Sequence, residues 1–126
     1  MGKKFLADTN PLIEYISGTL NKSSANLAYD AINNDFNISV INRIEILAHP
    51  LANDALTDFL SLAHQYELTS EIVTKTIEIR KTYKPKLPDA IIAATAIVHQ
   101  LTLITNDSDF YKIEGLSILN PYKEFK

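Results

Sequence analysis

Lys4-Phe5-Leu6-Ala7-Asp8-Thr9-Asn10-Pro11 decides how the rest of the chain is read. Lys4–Ala7 is a short apolar run that opens almost at the first residue, as a buried strand does. Asp8-Thr9-Asn10-Pro11 ends it. Pro11 suits the first position of a helix and Asn10 the N-cap before it. A short helix then runs through Ile16 and stops at Gly18. The chain therefore opens as strand, acid, helix, and the same order recurs further along.

Ser23 or Ser24 can cap a second helix with Leu27, Ala28, Ala31 and Ile32 on one face, broken by Asn33-Asn34-Asp35. Asn37–Ile41 reads as a second strand. Asn42 can cap a helix from Arg43 to about His49, and Pro50 marks its end. Ala52–Tyr66 is amphipathic, with Leu56, Phe59, Leu60 and Ala63 at helical spacing, and Glu67-Leu68 is a short third strand. Ser70 caps a helix that carries Ile72, Thr76, Ile79 and Tyr83 on one face. Pro85 and Pro88 interrupt. Ala90–His99 is apolar nearly all round and rich in Ala, which predicts a buried, closely packed helix. Leu101–Thr105 and Ser117–Leu119 are the fourth and fifth strands. Alternation from start to finish predicts an α/β domain with a mostly parallel sheet and right-handed crossovers. Residues 1–126 read as a single domain with fraying at Lys123–Lys126.

Composition narrows the chemistry. The 126 residues include no Cys, so disulfides, thiol catalysis and Cys-based metal sites are excluded. The three His residues, His49, His64 and His99, show no ligand spacing, and two of them sit near expected helix ends. The longest apolar stretch, Ala90–Val98, is too short for a membrane span. Asp8 falls where a signal peptide would continue its apolar run, so a cytoplasmic location is expected. The net charge of −3 argues at first against nucleic acid, whose usual partners are basic domains.

The positions of the acids change that inference. In a parallel sheet, ligands bind at the carboxyl ends of the strands. Asp8 follows strand one, and Glu45 lies one turn into the helix after strand two. Asp107 and Asp109 follow strand four, and Asp89 opens the apolar helix before it. Each alone has an ordinary role as a turn, cap or first-turn residue. Together they need a reason: two like charges about 4 Å apart cost on the order of 4 kcal/mol at an effective dielectric near 20. A hard divalent cation with oxygen ligands, Mg2+ or Mn2+, supplies one. Such sites activate water and stabilise in-line attack on phosphodiesters.

The same residues resemble a family. Phe5–Asn10 is similar to the D-T-[NS] strand end of the PIN-domain ribonucleases, and within them of the VapC-type toxins. Ser39–Glu45 is similar to the strand-then-glutamate motif, with Asn42 where many relatives carry Thr. Leu87–Ala96 resembles the D-A-x-I-A-A-x-A helix. Leu103–Phe110 resembles L-x-T-x-D-x-D-F, with Asn106 where a basic residue is frequent. The resemblance runs from about Lys4 to Pro121.

It implies a PIN-like three-layer α/β domain, with a mostly parallel five-stranded sheet in the order 3-2-1-4-5 and helices on both faces. It implies an Mg2+- or Mn2+-dependent endoribonuclease. Carried over by position, Asp8, Glu45, Asp89 and Asp107 are the catalytic acids. Asp8, Asp89 and Asp107 are the metal ligands, with Asp109 secondary, and Thr9, Asn10 and Thr105 orient the acids or the scissile phosphate through hydrogen bonds. The resemblance further implies a cognate antitoxin protein, an RNA substrate and a homodimer. Short helices at Pro11–Ile16 and Leu51–Leu62 are candidate surfaces for antitoxin or dimer. Arg80, Lys81, Lys84 and Lys86 put four cations within seven residues just before Asp89, a candidate phosphate-tracking rim. The four core acids are four of the chain's fifteen, so two bound divalent cations would cancel them and the net charge no longer argues against RNA.

Two other readings remain open on sequence alone. One is a PIN-fold RNA- or protein-binding module without catalysis; retention of all four acids counts against it. The other is a phosphorelay receiver domain. That needs paired acids after strand one and an Asp after strand three, and neither is present.

Overall fold

The computed structural model describes residues 4–17, 35–50 and 52–121. Its elements run β1 (Phe5–Ala7), α1 (Thr9–Ser17), β2 (Asn37–Ser39), α2 (Val40–Leu47), α3 (Asp54–Leu60), β3 (His64–Tyr66), α4 (Ser70–Tyr83), α5 (Leu87–Val98) and β4 (Thr102–Ile104). A 3-10 turn (Ser108–Phe110) and β5 (Ser117–Leu119) complete the order. The expected second helix from Ser23 or Ser24, the stop at Gly18 and the fraying of Lys123–Lys126 lie outside the described residues.

Every ladder is parallel. β4 lies between β1 and β5, with Leu6 opposite Leu103 and Leu103 opposite Ile118. β2 pairs with β3, Ile38 opposite Gln65. β2 also lies against β1, so the neighbours follow the expected order, but the sheet is not one continuous ladder. Among the described residues, no backbone pairing joins β1 to β2. Instead the Asn37 side-chain amide donates to the Phe5 carbonyl at 2.9 Å. A side chain takes the acceptor that a neighbouring strand's N–H would use. The expected five-stranded sheet is thus a three-stranded and a two-stranded ladder set edge to edge.

Successive residues of a strand point to opposite faces. Leu6 enters one core, with Ile72 and Ile79 of α4, Ala90–Ala94 and Ala96 of α5, and Leu103 and Phe110. Ala7 enters the other, with Leu12 of α1, Ile38, Ile46 of α2 and Leu60 of α3. Helices therefore cover both faces, and the three layers are those expected. Ala93, Ala94 and Ala96 are fully buried, and small side chains let α4 pack closely along α5. No helix among the described residues is long and apolar enough to cross a membrane.

Four local expectations need correction. The first helix begins at Thr9, capped by Asp8 rather than Asn10: the Thr9 N–H donates to Asp8 Oδ1 at 2.8 Å. Pro11 remains in the first turn, where no donor is required. The second strand ends at Ser39, not Ile41. There Ser39 caps α2, accepting from the Ile41 N–H, while its own N–H donates to Asn42 Oδ1 at 2.8 Å. This capping box turns Val40 and Ile41 into helix and moves Asn42 from cap to third position. The third strand is His64–Tyr66, not Glu67-Leu68. α3 ends at Leu60, and the His64 N–H donates to the Phe36 carbonyl at 2.8 Å, which draws the next residues into the β2 ladder. Finally Thr69, one residue before Ser70, caps α4.

Candidate active site

The parallel register brings the ends of β1 and β4 together. Ala7 is opposite Ile104, so Asp8 and Thr105 are the next neighbours out. The Thr105 hydroxyl donates to Asp8 Oδ2 at 2.7 Å, across 97 positions of sequence. With the Thr9 N–H on Oδ1, both oxygens of Asp8 are engaged, and the carboxyl is only 7% exposed. Thr105 Oγ1 also accepts from the Asp107 N–H at 3.1 Å. Asp107 in turn caps the 3-10 turn, its Oδ1 accepting from the Asp109 N–H at 2.9 Å. Thr105 thereby ties the first acid to the loop that carries the fourth.

Glu45 is reached from the other side. Thr9 Oγ1 donates to Glu45 Oε1 at 2.6 Å. Asn42 Nδ2 donates to the same Thr9 oxygen at 3.1 Å. Asp89 lies in the first turn of α5, which Pro88 helps to start and Lys86 precedes at the cap position.

Asp8 and Asp89 respond to the charges of their acidic neighbours. Burial holds the Asp8 carboxyl above the ordinary range, against the opposing effect of its bonds from Thr105 and Thr9; Glu45 and Asp107 push it the same way as burial. Asp89 is pushed up to about 6, first by burial and then by the charges of Asp8, Asp107 and Glu45, with Lys86 opposing. Burial and repulsion together outweigh these opposing effects. Among the described residues, however, no three His, Asp or Glu side chains converge to metal-ligating distance.

The repulsion has a sign that stability can report. A carboxyl whose folded pKa is raised keeps its proton in the fold while the unfolded chain loses it. Between the unfolded value of 3.8 and about 6, stability therefore falls as pH rises, and above that the cost is fully present. Asp89→Asn removes that cost. With solvent screening of a half-buried group, it is about 1 kcal/mol. In metal-free buffer at pH 8, thermal unfolding of Asp89→Asn should rise by about 3–4 °C, and the gain should vanish at pH 3.5. An equal gain at both pH values would show that charge is not its source.

Two independent comparisons bear on this arrangement. The sequence profile of the PIN domain matches residues 5–116, which include all four acids. The chain belongs to the PIN domain family. No curated protein matches it in sequence. Among solved structures, this PIN domain is similar to a chain of a toxin–antitoxin complex from Klebsiella pneumoniae. That chain is 33% identical, with 94% of this chain and 98% of that one covered and a TM-score of 0.77. It also resembles DNA-bound VapBC from Salmonella typhimurium, at 21% identity, 95% and 99% coverage and a TM-score of 0.79. FitAcB from Neisseria gonorrhoeae gives 22% identity, 94% and 99% coverage and a TM-score of 0.75. The last two identities speak for the fold alone. The receiver-domain reading falls with the family match.

Within the PIN domain, the other residues singled out from sequence divide. Asn10 stands exposed on the first turn of α1 and joins none of the hydrogen bonds around the acids. Asp109 is exposed, beside the acids through its N–H bond to Asp107. The four-cation segment does not form one rim. Arg80 turns back on its own helix end, where Nη1 donates to the Pro85 carbonyl at 2.6 Å. Arg80, Lys81 and Lys84 line a groove with Thr76, Ile77 and Leu87. Lys86 alone acts on Asp89. Of the histidines, His64 packs edge-on to Tyr66 with ring centroids 4.5 Å apart, and His99 lies on the same tyrosine at 4.3 Å. Sequence reading missed Ser39 and the side-chain role of Asn42. The signal for both was present as Ser39-x-x-Asn42, a variant of the capping-box spacing.

Proposed function

We propose that this PIN domain is a divalent-metal-dependent endoribonuclease acting as the toxin of a toxin–antitoxin pair. One observation supports the reading: Thr9 and Thr105 link Asp8 by hydrogen bonds to Glu45 and to the Asp107 loop, and the charges of Asp8, Asp107 and Glu45 add to burial in raising the pKa of Asp89. The 33% identity to a chain of a toxin–antitoxin complex supports the toxin role.

The donor set suits a hard cation. Every candidate ligand is a carboxylate oxygen, and the raised pKa values mark charge that a cation would relieve. Mg2+ usually keeps several waters and takes only one or two carboxylates directly. Acids that do not converge among the described residues fit that habit better than a closed cage would. Asp8, Asp89 and Asp107 would hold Mg2+ or Mn2+, with Asp109 as an outer ligand. When bound, the ion stabilises negative charge on the phosphate and lowers the pKa of a nearby water. The chain supplies the rest. Glu45 has one oxygen engaged by Thr9, which leaves the other to orient the attacking water and take its proton. Thr9 and Thr105 hold Asp8 in a fixed rotamer. Lys86, beside the N-terminus of α5, offers positive charge to the RNA backbone. Arg80, Lys81 and Lys84 extend that attraction along the neighbouring groove.

The partners follow from the same reading: RNA as substrate, a cognate antitoxin as inhibitor, a second copy of the chain, and a cytoplasmic setting. A basic antitoxin side chain in the acid pocket would relieve the repulsion as a cation does. One observation favours a non-catalytic module instead: among the described residues, no three candidate ligands converge. The experiment is purified protein with RNA and Mg2+ or Mn2+, with fragment ends mapped. Cleavage that EDTA abolishes is expected. Intact RNA at all divalent concentrations, with no divalent binding by calorimetry, would leave the module.

A further inference from the structure

The hydrogen bonds behind Glu45 run in one direction. The Ser39 N–H donates to Asn42 Oδ1 at 2.8 Å. Asn42 Nδ2 donates to Thr9 Oγ1 at 3.1 Å. Thr9 Oγ1 donates to Glu45 Oε1 at 2.6 Å. The end points fix the order. A backbone N–H can only donate, which assigns the Asn42 oxygen to Ser39 and its amide nitrogen to Thr9. An ionised carboxylate can only accept, which commits the single Thr9 proton to Glu45. Asn42 is fully buried, so water cannot substitute for either of its bonds.

The components lie on different elements. Ser39 and Asn42 belong to the capping box of α2, Thr9 is the first residue of α1, and Glu45 lies one turn further along α2. Glu45 itself is exposed. A free glutamate on a helix surface samples several rotamers, and ordering it costs side-chain entropy. Here a buried amide sets the hydroxyl and the hydroxyl sets the carboxylate. Bonds polarised in series strengthen one another.

We propose that Asn42 is a positioning residue that holds Glu45 in one orientation through the Thr9 hydroxyl. The inference rests on the reading of Glu45 as the group that handles the attacking water. Ser39, Asn42 and Thr9 touch neither substrate nor metal in this scheme. Asn42 suits the task because one side chain both accepts and donates in opposite directions.

The test uses Asn42→Asp, which keeps the oxygen that Ser39 needs and removes the donor to Thr9. kcat for RNA cleavage should fall about tenfold or more while KM stays within about twofold, since misplacement of a reacting group affects chemistry rather than binding. Thr9→Val should show the same split. The double variant should be no slower than Thr9→Val alone, because both act on one bond. A further loss in the double variant, or a change confined to KM, would overturn the proposal. Asn42→Ser, which is neutral, repeats the cycle if the aspartate variant does not fold. Crystal structures of the parent and of either Asn42 variant give a readout independent of activity. The proposal expects the Thr9–Glu45 hydrogen bond in the parent and its loss in the variant. An unchanged bond overturns the positioning role, whereas a parent that binds no metal and cuts no RNA overturns the nuclease reading instead.

Discussion

Asp8→Asn should lower Mg2+-dependent RNA cleavage by about a hundredfold to a thousandfold, on the scale of losing one preorganised charge contact in a water-poor site. The variant should stay folded. Asn keeps an oxygen for the Thr9 N–H and presents an amide to Thr105, whose hydroxyl can rotate its proton away. It also removes a carboxylate that burial and two neighbouring acids destabilise. Without divalent ions at pH 8, its unfolding temperature should therefore equal or exceed that of the parent. This pairing separates chemistry from collapse. A variant that cleaves at the parental rate removes Asp8 from the catalytic set. One that loses cleavage together with its thermal transition shows only that the fold needs Asp8.

Phe110→Ala should produce the largest loss of stability among single substitutions near the site. Phe110 is 1% exposed and sits in the core with Leu6, Leu103 and the alanines of α5. Its removal should cost about 3–5 kcal/mol, from lost burial and from the cavity left behind. Domains of this size are stable by about 5–15 kcal/mol, so a large share would be gone. The thermal midpoint should drop by about 10–15 °C. The effect should reach the acids as well. Phe110 closes the turn that Asp107 caps, its N–H donating to the Asp107 carbonyl at 3.2 Å. Divalent affinity should fall below that of a surface control such as Lys112→Gln. A midpoint within about 3 °C of the parent would mean the ring is not the anchor described.

The sequence made the acids legible because identity and position coincide in them. Asp8 and Asp107 follow strands, Asp89 opens a helix and Glu45 lies in the helix after β2, and strand ends are where a parallel sheet gathers its ligands. The long apolar pattern of α5 was legible for a similar reason, since its burial needs no partner to be named. Caps were not. Asp8 against Asn10, Ser39 against Asn42, and Thr69 against Ser70 are choices between polar residues near one another in sequence. Thr105 holds the Asp8 rotamer and Thr9 engages Asn42, both from far along the chain. Local preference cannot see such contacts. β3 was hidden because three residues of strand carry almost no period, and the apolar spacing of α3 runs on into them. The segment Arg80–Lys86 read as one basic rim because charge is counted along the chain. The left-handed turn at Lys84 (φ 57°) then parts Lys86, which acts on Asp89, from Arg80, Lys81 and Lys84, which line one groove.

The join between β1 and β2 has a mechanical consequence. Asp8 rides on the three-stranded side of the molecule and Glu45 on the two-stranded side. Across that seam no main-chain ladder fixes the spacing among the described residues; the Asn37–Phe5, Asn42–Thr9 and Thr9–Glu45 side-chain contacts do. Side-chain bonds stretch and reform more readily than a ladder shears. The compliance of the gap between Asp8 and Glu45 is therefore concentrated in Asn37, Asn42 and Thr9, and that gap can be tuned by substitutions that leave every strand intact.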